Sequence, residues 1–224
     1  MKLSNETLTV LKNFSGINQG IQFKQGTKLT TVSAGKTVLA QAELKDVFPQ
    51  DFCVYDLNQF LSVNSLFKDS AELDFDDSNI IFKSGKRSQK YRMTAKEMIV
   101  TPPEKEITLP SVDCEFTLTA EDYDWVMKNA AVLSSPHIAI ESDGETINVL
   151  NYDASDDSAH TGTTEVGVGN GKKYSIVFKT ENIKLIPGTY DVKISFKGIG
   201  HFQNTTNDIQ YWIAFEAKET KIGE

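Results

Sequence analysis

Apolar and polar residues alternate one by one through much of the chain, in IQFKQG (21–26), KTVLAQAEL (36–44), AELDFDD (71–77), NIIFKSG (79–85), INVLNY (147–152), YDVKISFKG (190–198) and IQYWIAFEAK (209–218). Alternation with period two describes antiparallel strands with one wet face, and the Gly, Asn and Asp between the segments supply the turns. Four places break the rhythm with a side-chain oxygen followed by apolar residues three and four apart, which is how a helix starts. Ser4 leads into Leu8, Leu11 and Phe14. Asp56, with Gln59 at the capping-box position, leads into Phe60, Leu61 and Leu66. Thr119, with Asp122, leads into Tyr123, Val126, Met127 and Ala130, and Thr180 into Ile183 and Leu185 before Pro187 and Gly188 stop the run. Helix starts at 4, 56, 119 and 180 imply a repeat of one helix and a handful of strands, about 52 to 63 residues long.

The stretch VTPPEKEITLPSVD (100–113) holds three of the six prolines and reads as an extended linker, since each proline removes a ladder donor and straightens the residue before it. Two domains are expected, 1–109 and 110–224, each with two short helices on antiparallel sheet. That is an α+β fold.

Composition narrows the function. The chain has 224 residues, 39% hydrophobic and 24% charged, as in a globular protein with a core. No apolar run is long enough for a membrane span and no leader is evident after MKLSNETLTV, so a cytoplasmic location is expected. Cys53 and Cys114 sit in apolar contexts (FCVY, VDCEF) and read as small core residues. With 23 Lys and Arg against 31 Asp and Glu, the formal charge is −8. Nucleic acid gripped over most of the surface is thereby disfavoured, while a single cationic face is not.

Catalytic groupings do not emerge. GVGNGKK (167–173) misses the spacing of a phosphate loop, because Lys173 stands where the hydroxyl belongs. The acidic clusters 74–77 and 153–157 lack the Gly and Glu of a calcium loop. His137, His160 and His201 have no second His or Cys at ligand spacing, and the sequons at Asn5 and Asn204 carry little weight without secretion. No nucleophile elbow and no H-E-x-x-H occurs. No enzyme, no metal and no cofactor is expected; a binding or assembly role is.

The helix faces suggest what is bound. VLKNF (10–14) and VMKNA (126–130) repeat Val-x-Lys-Asn on the wet side of two helices. The first helix leaves Asn5, Thr9, Lys12 and Asn13 in water, the second Asn58, Gln59, Ser62 and Asn64, the third Asp124, Lys128 and Asn129, the fourth Asn182 and Lys184. In an acidic chain, faces that are neutral or mildly positive suit a polyanion held loosely. A second basic feature, 83–92, packs five cations (Lys83, Lys86, Arg87, Lys90, Arg92) around a Gly turn and reads as a hairpin tip or a phosphate-contacting loop.

The opening MKLS…VLKNFSGINQGI, VYDLNQFL around the second helix, IPGTYDVKISFKG after the fourth and the closing IQYWIAFEA together resemble the DNA polymerase sliding clamps of T-even-type bacteriophages, over nearly the whole chain. The resemblance implies a closed homotrimeric ring of two-domain subunits, with helices lining a hole for duplex DNA. It implies an ATP-driven clamp loader as a partner, and the docking of DNA polymerase and other replication or transcription proteins by apolar tails. Lys12, Lys128 and Lys184 are then the expected DNA-facing residues, with Lys2 and Arg87 behind them. The apolar residues that would form the docking groove are Leu39, Ile107, Leu109, Pro110 and Trp212. The competing reading is a phage structural or protein-interaction module without DNA binding.

Overall fold

A computed structural model describes residues 1–68, 70–156 and 158–223, so Asp157, the last residue of the acidic cluster 153–157, lies outside the described residues. The chain divides into two compact units, Met1–Lys105 and Glu106–Glu224, parting within the irregular stretch 100–113.

The first unit runs α1 (Asn5–Ser15), β1 (Ile21–Phe23), β2 (Gly26–Val32), β3 (Val38–Phe48), β4 (Phe52–Val54), α2 (Leu57–Ser65), β5 (Glu72–Phe75), β6 (Asn79–Ser84) and β7 (Arg87–Arg92), followed by a single 3-10 turn, Lys96–Met98. Its strands pair antiparallel in the orders β4-β1-β2-β3 and β5-β6-β7. Both helices start where the caps place them. Ser4 Oγ accepts from Thr7 N at 3.2 Å and Asp56 Oδ1 from Gln59 N at 2.9 Å, each cap stabilising its helix by about 1 kcal/mol. The helices pack on one another and α1 lies on β3, burying Leu11, Phe14, Leu57 and Phe60.

In α2 the buried positions are Leu57, Phe60, Leu61 and Asn64, spaced three, four and seven apart. The stripe therefore begins one turn earlier than Phe60. That register draws Asn64 inside to 1% exposure and leaves Leu66, beyond the last turn, 68% exposed, the reverse of the expectation for both.

The second unit runs β8 (Cys114–Leu118), α3 (Ala120–Leu133), β9 (His137–Asp143), β10 (Thr146–Tyr152), β11 (Gly162–Val168), β12 (Lys173–Lys179), a 3-10 turn (Thr180–Asn182), β13 (Tyr190–Ser195), β14 (Ile199–Asn204), β15 (Ile209–Ala214) and β16 (Lys221–Ile222). The orders are β15-β14-β13-β8 and β11-β10-β9-β12-β16, again antiparallel. Thr119 Oγ1 caps α3 through Asp122 N at 3.1 Å, and α3 packs on β10 and β11. Asn129 lies so close over Gly162 that a Cβ there would fall 1.6 Å from its Nδ2, so any larger residue at this crossing would displace the Asn129 amide.

The expected fourth helix is absent, and among its described residues the second unit holds one α-helix rather than two. Three causes act together. Strand β12 pairs with β9 out to Lys179↔His137, so the chain is still extended one residue before Thr180. Thr180 does not cap, because its Oγ1 donates to Ser135 O at 2.8 Å. Pro187 then forbids helical continuation, leaving too few residues to repay a costly helix nucleus. What would have been helix becomes one 3-10 turn and an irregular run whose polar backbone atoms are met by tyrosines. Tyr123 OH donates to Leu185 O at 2.9 Å, Tyr190 OH to Ile186 O at 2.5 Å, and Ile186 N donates to Tyr211 OH at 3.2 Å.

Candidate nucleic-acid interface

Lys12 occupies the last turn of α1, where a cation complements the carbonyl end of the helix, and its side chain stands in solvent. Around it Asn5 and Thr9 are also exposed, and Thr9 Oγ1 is occupied by Asn5 O at 2.8 Å. On α2 the exposed Asn58, Gln59 and Ser62 carry no charge. The two helices thus present a neutral to cationic surface, apart from Glu6, which is held by Lys45 at 2.6 Å.

The third helix is different. Lys128 is exposed, yet its Nζ lies 2.6 Å from Asp124 Oδ2 one turn earlier, and the same face carries Glu121, Trp125 (42% exposed) and Val132 (81% exposed). An exposed i,i+4 pair is worth only a few tenths of a kcal/mol, so a phosphate can compete for the ammonium. Asn129 is half-buried against Gly162 rather than free on the helix surface. Lys184 is exposed, but it follows the 3-10 turn in irregular backbone, so it belongs to no helix face.

Lys2 precedes α1 next to Met1, whose backbone bonds both ways with Leu73 of β5. Arg87 opens β7 beside the turn at Gly85 (φ +58), a left-handed position that glycine adopts without strain. The basic run is therefore mostly strand: Lys86 sits in the turn while Arg87, Lys90 and Arg92 belong to β7, exposed throughout. Nothing in RSQKYR alternates, and Tyr91 alone is turned to the core.

The apolar candidates divide between the units. Leu39, on β3, is 7% exposed. In the second unit Ile107 and Leu109 are half-buried and Pro110 exposed, in the irregular stretch before β8. Trp212 of β15 is 8% exposed, with the His201 ring stacked on it at 4.9 Å and 27°. His201 Nε2 meets Gln210 Oε1 at 2.8 Å, and burial holds its pKa below the ordinary imidazole value.

The remaining candidates are structural. Cys53 and Cys114 are buried, the thiol of Cys114 accepting from Tyr174 OH at 2.8 Å, and burial raises both thiol pKa values. Residues 169–172 turn β11 into β12 around Gly171 (φ +83). Asp76 Oδ1 takes the backbone N–H groups of Ser78 and Asn79, closing a turn. Both His137 and His201 lie half-buried on strands rather than in turns. Asn204 is 4% exposed, its Oδ1 turned to Thr206 and Asn207 N–H. Among the described residues no helix is long and apolar enough to cross a membrane.

The site thus consists of two α+β units joined by an irregular segment, with exposed lysines on α1 and α3 and, among the described residues, strand edges without outer partners. Residues 4–101 match the family described as DNA polymerase processivity factor. Over 223 residues the chain is 33% identical to the sliding clamp of Vibrio phage KVP40, covering 97% of this chain and 100% of that one. It is 31% identical to the sliding clamp of Enterobacteria phage T4, with 98% and 99% covered. A Helicobacter pylori beta clamp bound to a DNA ligase peptide superposes with a TM-score of 0.69 at 13% identity, covering 96% of this chain and 64% of that chain, a likeness of fold. The chain belongs to the sliding clamps.

Proposed function

We propose that three copies of this chain close into a ring around duplex DNA, free of catalytic chemistry, and tether the replicative polymerase and other replication proteins as the ring slides. The observation that carries this reading is the full-length likeness to proteins named sliding clamps. The fold adds support, since each unit ends a sheet in a strand with no outer partner among the described residues: β7 in the first, β11 in the second. A β7 edge of one copy laid along β11 of the next is a heterologous contact, which closes into a ring when the rotation permits and removes two templates for stray pairing.

Sparse cations suit sliding. Each phosphate neutralised steepens the salt dependence of binding and brakes motion, whereas a few lysines act over a Debye length of about 8 Å without fixing register. Lys12 and Lys128 are the residues assigned to the DNA-facing surface, with Lys184 and Lys2 as flanking charges. Asn and Ser beside them exchange water-mediated contacts with any phosphate, so no sequence preference is expected. An ATP-driven loader opens the ring, in the host cytoplasm where phage DNA is copied. Apolar tails of partners dock at candidates drawn from Ile107, Leu109, Pro110 and Trp212 of the second unit and Leu39 of the first, and the similar H. pylori clamp is bound to a DNA ligase peptide.

Sedimentation should give three times 24.9 kDa, and loaded rings should stay on circular DNA and leave after linearisation. A monomer retained equally on both would overturn the proposal. Lys12→Glu with Lys128→Glu should reduce retention on circular DNA with the mass unchanged.

A further inference from the structure

We infer that the ring is latched by charge, the basic strand β7 of one copy seating against the acidic border of β11 in the next, so that ionic strength controls how readily the ring opens. The inference rests on the ring reading above and assigns Arg87, with Lys90 and Arg92, to the seam between subunits rather than to DNA.

The first half of the latch is β7. Lys83, on the neighbouring strand, is already held by Asp74 at 2.6 Å. Lys86, Arg87, Lys90 and Arg92 have no ion-pair partner among the described residues, and all four are exposed. They flank both sides of the strand. Tyr91 packs edge-on against Phe60 of α2, which fixes one face, and Arg87 shares its parity; Lys90 and Arg92, opposite Ile81 and Asn79, occupy the other.

The second half is β11. Thr164 points toward α3, where its Oγ1 lies 3.5 Å from Asp122 Oδ1. Glu165, next in line and paired with Asn148, therefore faces the opposite side and is exposed. On the helix side stand Glu121, Asp122 and Asp124, with Lys128 spent on Asp124. Acids thus border both faces of the β11 edge, as cations border both faces of β7. When strands add edge to edge, faces continue across the join, so each cationic face meets an acidic one. Lysines on an edge also guard against stray pairing, but a guard works with either sign of charge. A latch does not.

The test is the mass of the intact chain in solution against NaCl, with charge-reversed variants. At low salt the trimer should hold. Raising NaCl toward 1 M shortens the screening length to about 3 Å and should raise the protein concentration at which half the chains are trimeric by roughly tenfold or more. Lys90→Glu with Arg92→Glu should give monomer at low salt, and adding Glu165→Lys, on the face that Lys90 and Arg92 would meet, should restore the trimer, which also shows that the reversed chains fold. A trimer indifferent to salt and to Lys90→Glu/Arg92→Glu overturns the latch while the ring stands. Loss of DNA retention by that variant with its mass unchanged overturns it too, returning the strand to DNA contact. A wild-type chain monomeric at every salt concentration sinks the ring reading itself.

Discussion

The first unit is packed with phenylalanine and the second with tyrosine, and the difference follows what each does with its second helical segment. Where α2 forms, its backbone satisfies itself, and the space beside it is filled by rings without polar atoms: Phe60 lies 5.2 Å from Phe82 and 6.2 Å from Phe23, which stacks on Phe52 at 4.4 Å. Tyr91 is the exception there, its hydroxyl donating to Asp56 O at the helix start. In the second unit residues 183–188 make no helix, and their carbonyls and amides would be orphaned in the core without Tyr123, Tyr190 and Tyr211. An unmet buried carbonyl costs about 1 to 3 kcal/mol, so the hydroxyls are required by the missing helix. A core may be closed by regular backbone and dry rings, or by irregular backbone and rings that carry their own donors.

That contrast should break most visibly in alkali. Burial pushes Tyr190 up to about 12 and raises Tyr123, Tyr174 and Tyr211 further, so these groups stay protonated in the folded unit while unfolded tyrosines ionise near pH 10. Between pH 10 and 12 the folded state binds more protons than the unfolded one. Stability is therefore full below pH 10 and falls as pH rises, by about 1.4 kcal/mol per pH unit for each tyrosine, several kcal/mol in all. The first unit has only Tyr91 shifted this way by burial, and should outlast the second. Both tryptophans, Trp125 and Trp212, belong to the second unit, so the wavelength of indole emission should report its unfolding before far-ultraviolet dichroism is lost. Coincident loss of both signals would deny the contrast. The reverse experiment is Phe60→Ala, which empties a site of 0% exposure against the rings of Phe23, Phe82 and Tyr91 and should cost about 3 to 5 kcal/mol. Denaturant unfolding should then lose the first unit first, with the indole signal moving later.

Much of this organisation is visible in the sequence because it is local. Ser4, Asp56 and Thr119 each pair a capping oxygen with a periodic apolar stripe, and each heads a helix. Lys12 and Lys128 follow as solvent positions once those helices are granted, and the Asp124–Lys128 pair is an i,i+4 spacing readable by eye. Thr180 carries the same local sign and fails, since what decides its hydroxyl is Ser135, reached only after β9 and β12 have paired. Lys184 loses its helix for that reason. The placement of Lys90 and Arg92 on a strand was equally hidden, because a run of cations looks alike in a loop and on a strand until the partner of β6 is known.

The smaller effects test the contrast one group at a time. Tyr123→Phe keeps the ring and deletes the donor to Leu185 O, so it should cost about 1 to 3 kcal/mol, whereas Phe82→Tyr in the first unit should be no better tolerated, for it adds a hydroxyl where the dry rings offer no acceptor. Smaller still are the two would-be helix starts. Asp56→Ala removes the cap from Gln59 N and should cost about 1 kcal/mol, recovered largely by Asp56→Asn, which keeps an acceptor oxygen. Thr180→Ala deletes a donor rather than an acceptor, and should cost about as much, but Thr180→Asn, an equally good helix cap, should rescue nothing, because Ser135 O needs the hydroxyl where it stands. Thermal midpoints of the four variants decide it: rescue by asparagine at 56 and not at 180 is what separates a capping oxygen from a bracing one, and rescue at both would mean that residues 180–186 fold as a capped helix after all.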